Sequence, residues 1–179
     1  RFLENHDEPR SAAAFGAERL PALACLVATL PGMRFYHQGQ LEGRTRRVPV
    51  ELAKAAQEAT DSIVRSLYHK LLRQTRDAVF HKGDWRLLEV HSAGDLSCES
   101  LIAYQWRLDK AWKLVAVNLD AHTAHGRVLL AGEASAAEQY LLIDELDGQA
   151  YNRPGDDLVR HGLYVRLEPY RAHLFSVSC

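Results

Sequence analysis

The pattern of the chain changes at Gly83. Beyond it, six β-prone runs follow one another: WRLLEV, SLIAYQWRL, KLVAVNL, GRVLLAG, QYLLIDEL and LYVRLEPYRAHLFSV. Turn signals separate them, among them Ala93-Gly94-Asp95, Asp147-Gly148 and Pro154-Gly155-Asp156. Strands recurring at that density predict an antiparallel sandwich. Residues 83–179 therefore read as an all-β domain, and residues 1–82 as an α/β piece ahead of it.

That first piece has helical and extended signals in alternation. Residues 1–7 predict a short buried strand that turns outward at Asn5. Asp7, Glu8 and Ser11 suit the start of a helix, and SAAAFG supplies one or two turns. A clearer helix begins near Glu18, with Pro21 tolerated in its first turn. Its apolar positions Leu20, Leu23, Ala24, Val27 and Leu30 keep helical spacing, and Pro31-Gly32 ends it. Met33 to Tyr36 predict the next strand, and Gly39 opens a loop. A strand, a helix and a strand make a parallel βαβ unit, but two strands cannot close a barrel. Residues 42–60 are ambiguous, because ELAKAAQEA has helical propensity and GRTRRVPV does not. Asp61 to Arg76 predict a helix capped by Asp61 or Thr60. Its apolar stripe is Ile63, Val64, Leu67, Tyr68, Leu71 and Leu72.

Composition excludes some functions. With 179 residues, 47% hydrophobic and 25% charged, and a net charge of -1, the chain is an ordinary globular sequence. Nucleic acid is not an expected partner, since the Arg-rich piece at residues 43–47 is short and reads as a solvated loop. No apolar run approaches the roughly 18 residues of a membrane span, and no signal peptide is visible. The chain begins at Arg1 inside a strand-like run, which suggests a piece of a longer protein. Cys25, Cys98 and Cys179 are widely spaced and odd in number, which argues against a disulfide framework and fits a cytoplasmic location. Cys25 lies in an apolar helical pattern and reads as core.

Two stretches carry chemistry. FLENHD (residues 2–7) places Asn5, His6 and Asp7 together where a strand ends, and PGMRFYHQGQ (residues 31–40) repeats the design at the next strand. They resemble the FxxNHD segment that ends the seventh barrel strand, and the PGxPxxYYGQE segment of the eighth, in the α-amylase superfamily of glycoside hydrolases. In that family a small all-β domain follows the barrel, and LEPYRAHLFSV is similar to its last strands. The fold implied is α/β followed by all-β: the last two βα units of a (β/α)8 barrel, then a C-terminal antiparallel β-sandwich.

The resemblance also implies a function. It points to the C-terminal part of a retaining hydrolase or transglycosylase acting on α-linked glucosides or oligosaccharides. Asp7 would be the third carboxylate, which stabilises the transition state, and His6 the neighbouring sugar-hydroxyl donor. Asn5 would support the loop, and Glu8, Arg10, Tyr36 and Gln38 would line the same cleft. The family's nucleophile and acid precede FxxNHD in the chain. Glu4 alternates away from the loop end, Glu8 reads as a helix-start charge, and Glu42 is out of position after Gly39-Gln40-Leu41. The chain alone is thus expected to be inactive, its partner being a missing N-terminal barrel half. Exposed barrel faces would also allow a homo-dimer. No cofactor is expected, and no metal residue, since the family's calcium is held by a domain inserted earlier in the barrel.

Other readings of these residues exist. His6-Asp7 as a metal pair or half of a nucleophilic triad lacks a third member, whereas a strand end capped by Asp7 is a purely structural alternative. His122 and His125 have ligand-like spacing but read as an exposed turn. Trp85, Trp106 and Trp112 could stack on sugar rings, but tryptophans within strand patterns are more often sandwich core; the burial of Trp112, beside Asp109-Lys110, is the least determined by the pattern. At the level of the whole chain, the alternative is a catalytically silent relative or a free-standing sandwich used for binding or as a scaffold.

Overall fold

The computed structural model describes residues 1–49, 51, 57–130, 132 and 134–179. Part of the ambiguous stretch at 42–60 therefore lies outside the described residues.

Helix α1 runs Ser11–Thr29 with a break at Gly16 (φ 71°, ψ 164°), a conformation open to glycine, so a short N-terminal turn meets a longer helix there. Leu30 is extended and the chain leaves at Pro31. Ala22, Ala24, Cys25 and Ala28 are fully buried, and their small side chains let the helix lie close to what it covers. By length and composition alone α1 could cross a membrane, which the sequence reading did not anticipate. Glu18 and Arg19 sit in mid-helix, and the buried face packs on a sheet. Helix α2, Ser62–Gln74, starts as expected: the Asp61 carboxylate accepts from the N–H groups of Ile63 and Val64. Val64, Tyr68 and Leu71 are buried, but Ile63, expected in the apolar stripe, is 80% exposed. Its place in the first turn carries it past the edge of the contact. Helix α3 is a single turn, Val79–Lys82.

Among the described residues, nine strands follow. They are β1 Asp84–Leu88, β2 Val90–His91, β3 Leu101–Leu108, β4 Ala111–Asn118, β5 Ala124–Val128, β6 Gln139–Asp144, β7 Ala150–Pro154, β8 Leu163–Leu167 and β9 Ala172–Ser178. All pairings are antiparallel. One sheet has the order β1-β3-β4-β9-β6-β7 and the other β2-β5-β8. Strand β7 falls where no run stood out, because its burial is slight throughout. Pro154-Gly155-Asp156, expected as a turn, instead opens helix α4, Gly155–His161. Asp156 and Asp157 in its first turn and Arg160 and His161 in its last complement the helix dipole.

The molecule has three layers. One face of the six-stranded sheet packs on the three-stranded sheet through Leu101, Ala103, Trp112, Leu114, Ala116, Val165 and Phe175. The other face packs on the helices through Tyr104, Trp106, Val115, Val117 and Leu174, against Ala24, Cys25, Tyr68 and Leu71. Strands β3 and β4 are covered on both sides, which explains their mostly apolar sequences and near-continuous burial. Trp106 and Trp112, each 4% exposed, point to opposite faces. Trp112 is core after all, with the Arg107 guanidinium 4.3 Å over its ring and its N–H on Gln105.

Helix and sheet are also joined by polar contacts. The Thr29 hydroxyl lies 2.6 Å from both the Cys25 carbonyl and the Tyr104 hydroxyl. The Trp106 indole donates to the Thr29 carbonyl at 2.7 Å.

Candidate functional site

The two segments expected to be the strands at the site are extended but are not regular strands. They touch at one point. The Arg1 amino group donates to the Met33 carbonyl at 2.8 Å, and Phe35 N–H donates to the Arg1 carbonyl at 3.0 Å. One residue bonded to both neighbours of Arg34 is the pattern of a parallel bridge. A single bridge does not make a ladder, and among the described residues no further strand extends the pair. The Arg1 side chain turns the other way and caps α1, its guanidinium donating to the carbonyls of Val27, Leu30 and Pro31.

Past the bridge the chain makes a tight turn. The Asn5 side-chain oxygen accepts from the N–H groups of Asp7 (2.8 Å) and Glu8 (3.0 Å), so an Asx turn shapes the loop. His6 and Asp7 stand on that turn with Nε2 and Oδ2 3.2 Å apart, their side chains 59% and 74% exposed. Arg47 donates to the His6 carbonyl at 3.2 Å. Glu8 is exposed beside them. An open carboxylate and an imidazole presented together can hold hydroxyl groups by charge-assisted hydrogen bonds.

The other expected site residues face inward or contribute through their main chain. Arg10 is only 4% exposed. Its NH1 lies 2.9 Å from Glu4 Oε1 and donates to His37 Nδ1 at 2.8 Å, while NH2 donates to the Gln38 carbonyl at 2.9 Å. Because a guanidinium only donates, His37 Nδ1 must accept. The Glu4 carboxylate is fully buried, and its Oε2 accepts from Ser11. Gly39 fits only as glycine: its φ is 88°, and a Cβ would come 2.4 Å from Arg10 NH2. Gln38 is exposed, whereas the Tyr36 hydroxyl is buried without a partner, its ring edge-on to Tyr68 at 6.0 Å. Burial raises the Tyr36 pKa.

The structure thus brings His6, Asp7 and Glu8 together on one turn. Beneath that turn it places a network that sequence reasoning did not assemble: Glu4, Arg10, Ser11 and His37. An acid inside the apolar run FLEN was the available signal, since a buried carboxylate requires a cation and donors nearby. His122 is an exposed turn residue as read, but His125 lies on β5, its Nε2 3.1 Å from Asp95. Among the described residues, no three His, Cys, Asp or Glu side chains gather where they could hold a metal ion.

The fold is shared with solved enzymes. A maltogenic α-amylase from Thermotoga neapolitana superposes over 98% of the chain with a TM-score of 0.73 and 18% identity. The α-amylase of Geobacillus thermoleovorans, solved with acarbose, superposes over 99% with a TM-score of 0.71 and 14% identity. The chain has the fold of part of an α-amylase. Trehalulose synthase from Pseudomonas mesoacidophila matches over 99% of the chain as well, with a TM-score of 0.63 and 17% identity. The chain spans 40%, 38% and 43% of the lengths of these three proteins, so the likeness concerns about two fifths of an α-amylase-type enzyme. At such identities it is a likeness of fold. No family model matches the sequence, and no curated protein matches it either. The α-amylase fold accounts for the sequence's order of helices first and antiparallel sheets after, over nearly the whole chain.

Proposed function

We propose that the chain is the C-terminal portion of a retaining α-glycoside hydrolase or transglycosylase, and that Asp7 is its transition-state-stabilising carboxylate. The observation that carries this reading is the open His6-Asp7 pair, held on an Asx turn at the end of an extended segment in an α-amylase-type fold.

Retaining cleavage needs two carboxyl groups about 5–5.5 Å apart, one attacking the anomeric carbon and one protonating the leaving oxygen. Asp7 does neither. It grips sugar hydroxyls, and the grip tightens as the ring flattens toward the oxocarbenium-like transition state. His6 donates to a neighbouring hydroxyl. Glu8 and Gln38 border the same cleft, and Tyr36 stands behind it. Arg10 acts from below: bonded to the Gln38 carbonyl and to His37, it sets the height of the second loop against the first. The nucleophile and the acid belong to upstream strands, and the chain by itself does not turn over. Its partners are an α-linked glucoside and the rest of the barrel.

The test is to determine the coding DNA upstream of Arg1. Upstream βα units carrying an Asp after the fourth strand and a Glu after the fifth support the reading. A start codon or an unrelated domain there overturns it, and His6-Asp7 is then a strand cap.

A further inference from the structure

At the other end of the extended segment that carries Tyr36, a cleft of about 650 Å³ opens between the Pro31 turn, α3 and the paired strands β1 and β3. Its lining includes Arg34, Tyr36, Phe80, His81, Trp85 and Trp106, and contains no aspartate or glutamate. Five buried side-chain nitrogen or oxygen atoms among the described residues have no hydrogen-bond partner. Three of them, Arg34 Nε, Tyr36 Oη and Trp85 Nε1, belong to residues of this one cleft.

Such a concentration is unusual, because buried polar groups are almost always satisfied and each exception needs a cause. All three can donate a hydrogen bond, and one carries a positive charge. Arg34 already donates NH1 to the Thr75 carbonyl and NH2 to the Phe80 carbonyl, which fixes its guanidinium at the wall and leaves Nε–H over. No carboxylate pairs with it among the described residues. Burial opposes its charge and lowers its pKa, a cost that an anion in the cleft would offset. The remaining wall is aromatic, with Phe80 and Trp106 edge to face at 5.8 Å.

We propose that this cleft binds a small anion with a flat apolar body, of the class of aromatic carboxylates. The carboxylate accepts from Arg34 Nε, with Trp85 Nε1 and Tyr36 Oη as further donors. The flat body lies among Phe80, Trp85 and Trp106. The site is separate from the His6-Asp7 turn.

The three tryptophans provide the readout. Trp106 and Trp112 have their indole N–H groups engaged, on Thr29 and Gln105, and Trp85 does not. The ¹⁵N-labelled chain is titrated with benzoate while its three indole resonances are followed, Trp85 being assigned with Trp85→Phe. The expected result is a saturable shift of the Trp85 resonance, with Trp106 following to a lesser degree and Trp112, outside the cleft, still. In Arg34→Gln, benzoate affinity should fall about tenfold or more, and unmoved Trp106 and Trp112 resonances certify its fold. If that variant does not fold, benzyl alcohol decides on the unaltered chain, since it has the ring without the charge and should leave Trp85 in place. No shift with benzoate, or an equal shift with benzyl alcohol or inorganic phosphate, overturns the proposal. A shift with maltose and none with benzoate overturns it in favour of a sugar site.

Discussion

Glu4 and Ser11 are joined twice: Oε2 of the carboxylate accepts from both the main-chain N–H and the hydroxyl of Ser11, each at 2.6 Å. Arg10, at the N-cap position of α1, supplies no side-chain cap. A carboxylate seven residues upstream therefore does what a capping residue usually does, and it also favours the positive end of the helix. The same carboxylate faces the Arg10 guanidinium, so one buried acid ties the loop to both the helix and its cation.

Glu4→Gln should accordingly destabilise the protein well beyond the loss of one hydrogen bond. It leaves the Arg10 guanidinium buried without its counter-charge, and breaking such a pair costs about 3–5 kcal/mol. Chemical denaturation of the variant and the parent checks this. A loss under about 1 kcal/mol would mean that the pair is solvated and the network slack.

Asp7→Asn should behave in the opposite way. The side chain is open to water and, among the described residues, meets only His6, so the melting temperature should not move. In the complete enzyme, turnover on an α-linked glucoside should fall about a hundredfold or more. Undiminished turnover removes Asp7 from the chemistry.

The joint between α1 and the sheet predicts a non-additive pair. Thr29→Val strands the buried Tyr104 hydroxyl and should cost about 1–3 kcal/mol, whereas Tyr104→Phe leaves the Thr29 hydroxyl on the Cys25 carbonyl and should cost less. The double variant removes both hydroxyls together and should cost less than the sum of the singles. Costs that simply add would show that the two hydroxyls do not interact.

Acid titration should single out Asp95. The Ser97 hydroxyl donates to its carboxylate at 2.6 Å and the Ser97 N–H at 2.9 Å, with His125 beyond, and these contacts lower its pKa to about 2. A carboxyl whose folded pKa is depressed stabilises the fold above its unfolded pKa, and loses that contribution as pH falls through the folded one. The effect therefore lies between about pH 4 and pH 2 and is absent near neutrality. Carbon-13 NMR of the carboxyl should place its midpoint near 2, and Ser97→Ala should raise it. A midpoint in the ordinary aspartate range with Ser97 intact would contradict the bonding.

Much of this fold could be read from the residues because local chemistry and tertiary context agree there. Asp61 caps α2, Pro31 releases α1, and the doubly covered strands β3 and β4 declare themselves by their mostly apolar sequences. Where the two diverge, the reading fell short. Pro154-Gly155-Asp156 fits a turn as well as a helix start, and only the packing of Leu158 selects the helix. Strand β7 is named by its partner β6 and not by its own polarity. At the site, His6, Asp7 and Asn5 were legible because adjacent residues share one turn. The network of Glu4, Arg10 and His37 was not, because it joins positions up to thirty-three residues apart that meet only after α1 has folded back.

Tyr104 and Trp106 stand two residues apart on β3 and both reach Thr29. Two pins in one hole fix α1 against both sliding and rolling: a shift of one residue would turn Thr29 through about 100° and break both contacts. The height at which the chain leaves the helix, and hence where His37 meets Arg10, is indexed from the sandwich. The β domain is thus no interchangeable tail. A sandwich grafted from another protein would seat this loop correctly only if it carried the same two teeth at the same pitch.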